Sequence, residues 1–213
     1  DTLNKIIKPL YSKKGLKLFT FFPEGWQVWT TNKDIRHPDD FSGFKMRVMT
    51  SPLLIASYEA YSATPVPLPY SEVYSGLQLK MIDGQVNPVF AIEEMSFFEV
   101  TDYMINPKDS QFITSVITSH RFFNKLSEEK QKLVTDTIVD MQDFIFEEQQ
   151  KLNEARMQKI LEKKPEMKII ELSEEERRPF IERSEKVRQK FLEIGGPKAK
   201  QVLESLNREL KQE

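Results

Sequence analysis

The chain has 213 residues, 39% of them hydrophobic and 30% charged, which is enough to bury a core as one large domain or two small lobes. Its 31 basic and 33 acidic residues give a net charge of −2, whereas a nucleic-acid-binding protein is expected to carry a basic excess. The absence of cysteine excludes disulfides, a thiol nucleophile and a Cys-ligated zinc site, and two histidines leave little room for a His-rich metal centre.

Residues 1–127 contain most of the aromatic residues, prolines and glycines, and they are predicted to form a turn-rich α/β region. The predicted strands are 17–22, 27–31, 45–49, 66–68 and 85–86, with a turn at 23–25 between the first two. The predicted helical segments are a turn opened by Pro38, a helix from the Ser51–Pro52 start to 60, a helix capped by Ser71 that runs to 81, and a helix at 91–98. Alternation of strands and helices at this spacing predicts a parallel or mixed sheet with right-handed crossovers.

The remaining residues are highly charged and are predicted to form long helices. No Gly or Pro interrupts residues 128–164, and a helix of this length is expected to lie across two lobes. Ser173 and Glu176 form a capping box for the next helix, although Pro179 is an alternative first turn. Residues 194–197 (Ile-Gly-Gly-Pro) predict a helix stop followed by a restart.

The sequence carries no nucleophile elbow, phosphate-binding loop, HExxH or dinucleotide fingerprint, so an enzyme is not expected and no catalytic or metal-ligating residue is assigned. No apolar run is long enough to predict a transmembrane helix.

Three residues have the chemistry and the position to contact a ligand. Arg47 lies at the end of a short predicted strand, just before a helix N-terminus, where an Arg can offer a planar fork to a carboxylate. The alternative for Arg47 is a surface ion pair with Asp39 or Asp40. Asn87 precedes Pro88 and is otherwise a plain turn residue, and Tyr70 begins a helix and is otherwise a core or rim aromatic.

Three linked motifs carry a family resemblance. Gly43–Val48 reads GFKMRV, Pro67–Gln78 contains PLPYSEVYSGLQ, and Asp83–Pro88 reads DGQVNP. In this order and spacing they resemble the substrate-binding (DctP-like) proteins of tripartite ATP-independent periplasmic (TRAP) transporters. The resemblance covers essentially the whole chain, which corresponds to the C-terminal two-thirds of such a receptor.

The resemblance implies a periplasmic-binding-protein-like (type II) α/β fold of two lobes, with one lobe largely missing. Residues 1–26 would be a remnant of the first lobe and the hinge entry, 27–112 the second α/β lobe, and 113–213 the return to the first lobe, the long helix and the C-terminal helices. The implied function is that of a periplasmic receptor without a cofactor, which closes around a small organic acid and delivers it to the TRAP permease subunits. The surface left by missing strands would favour self-association.

The motif match also implies residue roles. Arg47 corresponds to the arginine that forms a salt bridge with the substrate carboxylate, Asn87 to the asparagine that orients the ligand, and Tyr70 to an aromatic position lining the site. Gln27 stands where many members carry a second arginine, and Asp109 where relatives often have a histidine. Both differences remove positive charge and favour a monocarboxylate or 2-oxo acid over a C4-dicarboxylate or sialic acid.

Two other classes of function stay open from the sequence. One is a ligand-sensing domain of a signalling protein on the same fold. The other is a helical protein that binds a partner through its charged C-terminal helices.

Overall fold

The computed structural model describes residues 2–209, which divide into two compact units. Among these residues, one unit comprises 2–23, 113–148 and 191–209, and the other comprises 24–112 and 149–190. Strands β1 and β7 and helices α6 and α8, whose bounds follow, each contribute residues to both units.

The elements follow one another as a mixture of short strands and helices. The strands are β1 (Leu16–Trp26), β2 (Val28–Thr31), β3 (Lys45–Val48), β4 (Thr64–Pro67), β5 (Gly84–Asn87), β6 (Tyr103–Asn106), β7 (Gln111–Ser119) and β8 (Lys168–Glu171). The α-helices are α1 (Thr2–Ser12), α2 (Pro52–Ala60), α3 (Val73–Gln78), α4 (Val89–Glu94), α5 (His120–Phe123), α6 (Glu128–Lys163), α7 (Glu174–Arg183) and α8 (Glu185–Glu209). Short 3-10 helices occupy Pro38–Phe41, Tyr70–Glu72 and Phe97–Val100.

The second unit is built on a six-stranded mixed sheet with the order β4-β3-β5-β2-β6-β8. Strand β3 runs parallel to β4 and β5, β2 is antiparallel to β5 and β6, and β6 is parallel to β8. Successive side chains of a strand point to opposite faces, so the strands contribute residues to two cores, one on each face of the sheet. Trp29, Val86 and Ile105 join one core, whereas Val28 and Met104 join the other. The sheet is therefore covered on both sides, as expected for an α/β fold.

The two cores differ in their side chains. The core on the Trp29 face is aromatic, because Phe41, Tyr58, Tyr61 and Phe180 pack edge-to-face or stacked with ring centroids 5.0–6.4 Å apart. The core on the Val28 face is mainly aliphatic and receives Ile160 from the end of α6. Of the tryptophans that flank Gln27, Trp29 is fully buried and Trp26 is 41% exposed.

Several predicted features have the expected geometry. The Ser51 hydroxyl accepts from the Leu54 amide at the start of α2, and Ser173 with Glu176 forms the capping box of α7. Helix α6 is one continuous helix of 36 residues. The non-helical backbone of Gly196 (φ 55°, ψ −141°) kinks α8 at the predicted break.

Other expectations were wrong, and local contacts explain the differences. No turn interrupts β1 at 23–25: the Asn153 Nδ2 atom donates to the Glu24 carbonyl and holds the strand extended. Ser71 does not cap α3, which begins at Val73 after a 3-10 turn. The predicted helix 91–98 is divided where Ser96 adopts a left-handed conformation (φ 56°), and Pro179 lies inside α7.

Candidate functional site

The carboxyl ends of parallel strands β3 and β5 bring two of the predicted ligand-contacting residues to one face of the sheet. Arg47 is the register partner of Gln85, and Asn87 follows two residues later on the same strand. Asn87 in turn faces Val28 across the antiparallel pair. Arg47 and Asn87 therefore share the sheet face that carries the Val28 core, at the edge where open α/β sheets bind ligands.

Arg47 is buried at 2% exposure, and its guanidinium is only partly satisfied. The Nε and Nη2 atoms both donate to the Leu68 carbonyl at 3.0 and 2.8 Å. The Nη1 atom is buried and has no hydrogen-bond partner. Burial lowers the pKa of Arg47, and no carboxylate of the described residues pairs with it. Among residues 2–209, Arg47 therefore does not form the surface ion pair with Asp39 or Asp40 that was the alternative from the sequence.

Asn87 is held by a chain of buried amides. Its Nδ2 atom donates to the Gln85 Oε1 atom at 2.5 Å, and the Gln85 Nε2 atom donates to the Thr30 hydroxyl at 2.9 Å. Thr30 and Gln85 are fully buried and Asn87 is 5% exposed. Because its amide nitrogen is fixed by Gln85, the orientation of the Asn87 side chain is set before any ligand arrives.

Tyr70 lies near Arg47 on the following 3-10 helix. It is 39% exposed, its ring packs edge-on against Phe97 at 5.8 Å, and its hydroxyl donates to the Ala91 carbonyl at 3.4 Å. Burial of part of the ring raises the pKa of Tyr70, Glu94 raises it further, and Arg47 opposes both effects. The phenol is therefore neutral, and the Tyr70 side chain stays partly exposed within the electrostatic influence of Arg47.

A cavity of about 390 Å³ lies on the same face of the sheet; its lining includes Val28, the register partner of Asn87, but not Asn87, Tyr70 or Arg47. Its walls include Trp26, Val28 and Val89 on the sheet side, and Asn153, Glu154 and Met157 from α6. Asn153 fixes these walls together, because its Oδ1 atom accepts from the Phe90 amide while its Nδ2 atom donates to the Glu24 carbonyl. The volume is in the range of small-molecule sites, and the mixture of apolar and amide groups is typical of them.

The structure does not bring Gln27 into that cavity. Gln27 lines a separate cavity of about 180 Å³ that also contains Tyr58, Tyr61 and Val86, the residues of the aromatic core face. Arg47 does not line either cavity. The four predicted residues thus divide into Arg47, Tyr70 and Asn87 on one face and Gln27 on the other.

Asn153 is a residue of this region that no sequence pattern singles out. It lies within an uninterrupted charged helix, and its role depends on contacts with residues 63 and 129 positions away. The one related feature of the sequence is the glycine at position 25, because a Cβ added there would lie 2.8 Å from the Asn153 Nδ2 atom.

Comparison with known proteins defines the class. The chain belongs to the bacterial extracellular solute-binding protein family 7 (DctP), whose model matches residues 2–194. It is 39% identical over 208 residues to the ectoine/5-hydroxyectoine-binding periplasmic protein UehA of Ruegeria pomeroyi and 37% identical over 209 residues to the ectoine-binding periplasmic protein TeaA of Halomonas elongata. Each match covers 98% of this chain and 61% of the relative, so the chain spans about three fifths of these proteins.

Solved structures give the same result for the fold. The ectoine-binding protein of the Halomonas elongata TeaABC TRAP transporter superposes with a TM-score of 0.94 at 37% identity, covering all of this chain and 69% of that one. An apo open TRAP solute-binding protein from Marinobacter aquaeolei superposes with a TM-score of 0.91 at 39% identity, covering 95% and 67%.

These comparisons confirm the family resemblance, the α/β type II fold class and the periplasmic location. The family consists of solute-binding receptors rather than enzymes. None of the helices among residues 2–209 has the length and apolarity needed to cross a membrane. Those residues also contain no group of three or more metal-binding side chains.

Proposed function

We propose that the protein captures a small organic acid through Arg47 and delivers it to TRAP permease subunits in the membrane. The observation that carries the proposal is the buried Nη1 atom of Arg47, which has no partner although its two neighbours are bonded. A buried donor left unpaired costs about 1–3 kcal/mol, more when the group is charged, so such groups are retained where a ligand supplies the acceptor. A carboxylate is the acceptor that a guanidinium matches best.

The solute class that we infer is a monocarboxylate. Arg47 is the only basic side chain that is buried among the described residues, so one negative charge of a ligand can be neutralised on this face. Burying a second, unpaired carboxylate would cost several kcal/mol. The two relatives that match 98% of this chain, at 39% and 37% identity, are named for ectoine, which has one carboxylate and a positively charged ring. A third relative at 28% identity is named for 2,3-diketo-L-gulonate, a 2-oxo monocarboxylate.

The 390 Å³ cavity on the same sheet face has room for the part of such a ligand that extends beyond Arg47. In the proposed arrangement Arg47 holds the carboxylate, Asn87 fixes its orientation, and Tyr70 and Trp26 offer exposed aromatic rings to the rest of the solute. Two relatives named for C4-dicarboxylates are 33% and 31% identical and match little more than half of this chain. A third matches 92% of the chain but at only 23% identity, so the ectoine-named relatives weigh more in the choice of solute.

The test is calorimetric titration of ectoine and of succinate into the wild-type protein and into Arg47→Lys. Wild-type protein is expected to bind ectoine at least tenfold tighter than succinate, equivalent to about 1.4 kcal/mol. Arg47→Lys keeps the charge but loses the planar fork, so we expect ectoine affinity to fall about tenfold to a hundredfold, the effect of one charge-assisted bond.

A surface variant in the same unit, Arg178→Lys, provides the matched control and should bind as wild type. Unchanged affinity in Arg47→Lys would rule out the carboxylate contact. Tighter binding of succinate than of ectoine would rule out the inferred solute class.

A further inference from the structure

Two small cavities adjoin each other on the aromatic face of the six-stranded sheet. The larger has a volume of about 180 Å³ and the smaller about 110 Å³. Tyr61, Asp109 and Ser184 line both of them, so these residues form the boundary between the two spaces. Both cavities lie within the second unit and on the opposite face of the sheet from Arg47.

Two hydrogen-bond acceptors line the larger cavity, the Gln27 amide oxygen and the Asp109 carboxylate. Gln27 is 5% exposed, and its Oε1 atom is buried without a partner. The Asp109 carboxylate accepts only from neutral groups, the Ser110 hydroxyl at 3.1 Å and adjacent backbone amides, and it forms no ion pair with a described residue. The Ser184 and Ser57 hydroxyls donate to backbone carbonyls of their own helices.

The basic residues near Asp109 are engaged elsewhere. Arg177 lines the smaller cavity but not the larger one, and its Nη2 atom donates to the Lys108 carbonyl at 3.0 Å. The Lys108 ammonium pairs with Glu171 at 3.0 Å. The larger cavity is therefore bordered by a carboxylate without an ion-pair partner and by an unpaired carbonyl oxygen.

The charge of Asp109 influences the groups that face it. Desolvation by the surrounding protein raises the pKa of Asp109 to about 6 even though the residue is exposed to solvent, and the charge of Arg177 opposes the shift. Burial followed by the charge of Asp109 raises the pKa of Tyr61, and burial and the same charge raise that of Tyr58. Both phenols are therefore neutral near pH 7.

From this geometry we infer a second binding site, which takes a small organic cation of the primary ammonium class. The ammonium group donates to the Gln27 Oε1 atom, which otherwise has no donor, and pairs with the Asp109 carboxylate, which otherwise has no ion-pair partner. The alkyl part packs against Leu54 and Val86, which line the same cavity, and the Tyr61 ring adds a cation–π contact. The cavity size limits the ligand to a few non-hydrogen atoms.

The probe for this site is methylammonium, titrated into the ¹⁵N-labelled protein at pH 7.5 with potassium chloride at equal ionic strength as the salt control. Saturable shifts of the Tyr58, Tyr61 and Ser110 amides are expected, with none from potassium chloride. Asp109→Asn should weaken binding at least tenfold, whereas Asp102→Asn, at an exposed carboxylate of the same unit, should leave it unchanged.

The pH dependence provides a second readout. A carboxyl with a pKa of about 6 is about one-tenth ionised at pH 5 and almost fully ionised at pH 7.5, so wild-type affinity for methylammonium should fall about tenfold at the lower pH. Tetramethylammonium, which has no N–H donor, should bind more weakly than methylammonium. Shifts that are linear in concentration, or equal in Asp109→Asn, would show that the cavity holds water only and would overturn the inference.

Discussion

At the scale of single residues, the site depends on polar side chains that the fold buries before they are used. Arg47, Gln85 and Asn87 are each at most 5% exposed, and they stand next to one another because β3 and β5 run parallel with Arg47 opposite Gln85. Their motifs were recognisable in the sequence. The sequence could not show which of their hydrogen-bonding atoms lack a partner. Whether the Arg47 Nη1 atom is unpaired depends on where the Leu68 carbonyl lies in space.

Asp109 gives a residue-scale prediction for the pH dependence of stability. Its pKa is about 6 in the folded chain and 3.8 in an unfolded peptide, so the folded state binds more protons between these values. The free energy of unfolding contributed by this group therefore falls as pH rises from about 4 to about 6. Asp109→Asn removes this loss.

Urea denaturation at pH 4.5 and 7.5 measures the effect. The stability of Asp109→Asn relative to wild type should be greater at pH 7.5 than at pH 4.5, with Asp102→Asn as the reference variant. If the gain in the free energy of unfolding of Asp109→Asn over wild type were equal at both pH values, or larger at pH 4.5, the raised pKa of Asp109 would be contradicted.

At the scale of elements, α4 and the end of α6 are joined by one buried carboxylate. Glu93 is 7% exposed and pairs with Lys163 at 2.9 Å and with Arg156. The hydrogen bond from Lys163, and next that from Arg156, lower the pKa of Glu93. The ion pairs close the wall of the 390 Å³ cavity by fixing the helix that supplies Asn153, Glu154 and Met157.

Glu93→Gln should lower the free energy of unfolding by about 1.5–3 kcal/mol, the usual value of hydrogen bonds to charged groups, because two basic side chains lose their common partner. Glu94→Gln, on the exposed neighbouring position, is the matched control and should change stability by less than about 0.5 kcal/mol. Chemical denaturation at pH 7 measures both. Because the pKa of Glu93 is lowered on folding, its contribution is present above the unfolded pKa and is lost as pH falls through the folded value, so the two variants should converge in acid.

The elements also show which patterns a sequence can reveal. Starts of helices α2 and α7 were predictable because their capping groups lie within three residues of one another. Strand β8 was not predicted, because its four residues pair with β6 more than 60 positions earlier and nothing local marks them. The continuity of β1 depends on Asn153 in the same way. Contacts close in sequence were predictable, whereas those made between distant segments were not.

At the scale of the whole molecule, the two units bury very different amounts of apolar surface. The second unit has two cores with aromatic and aliphatic clusters on both faces of its sheet. In the first unit the buried apolar side chains among the described residues are Leu18, Phe123 and Ala199. The same unit exposes large apolar side chains along β7 and α6, among them Ile113, Ile117, Leu133, Val139, Phe144 and Phe146.

We propose that this surface makes the chain associate with a second copy of itself. Strands β1 and β7 form a two-stranded sheet and pair with no other described strand, so their outer edges offer backbone groups beside exposed Ile113 and Ile117. Sedimentation velocity at about 5 to 200 µM, concentrations that bracket weak self-association, should show an average mass that rises with concentration. Ile117→Lys, which places a charge on the outer face of β7, should shift this rise to higher concentration. Leu79→Lys, at an exposed apolar position of the second unit, is the control and should associate as the wild type does. A constant monomer mass over this range, or an equal effect of both substitutions, would show that the exposed surface of the first unit does not drive association.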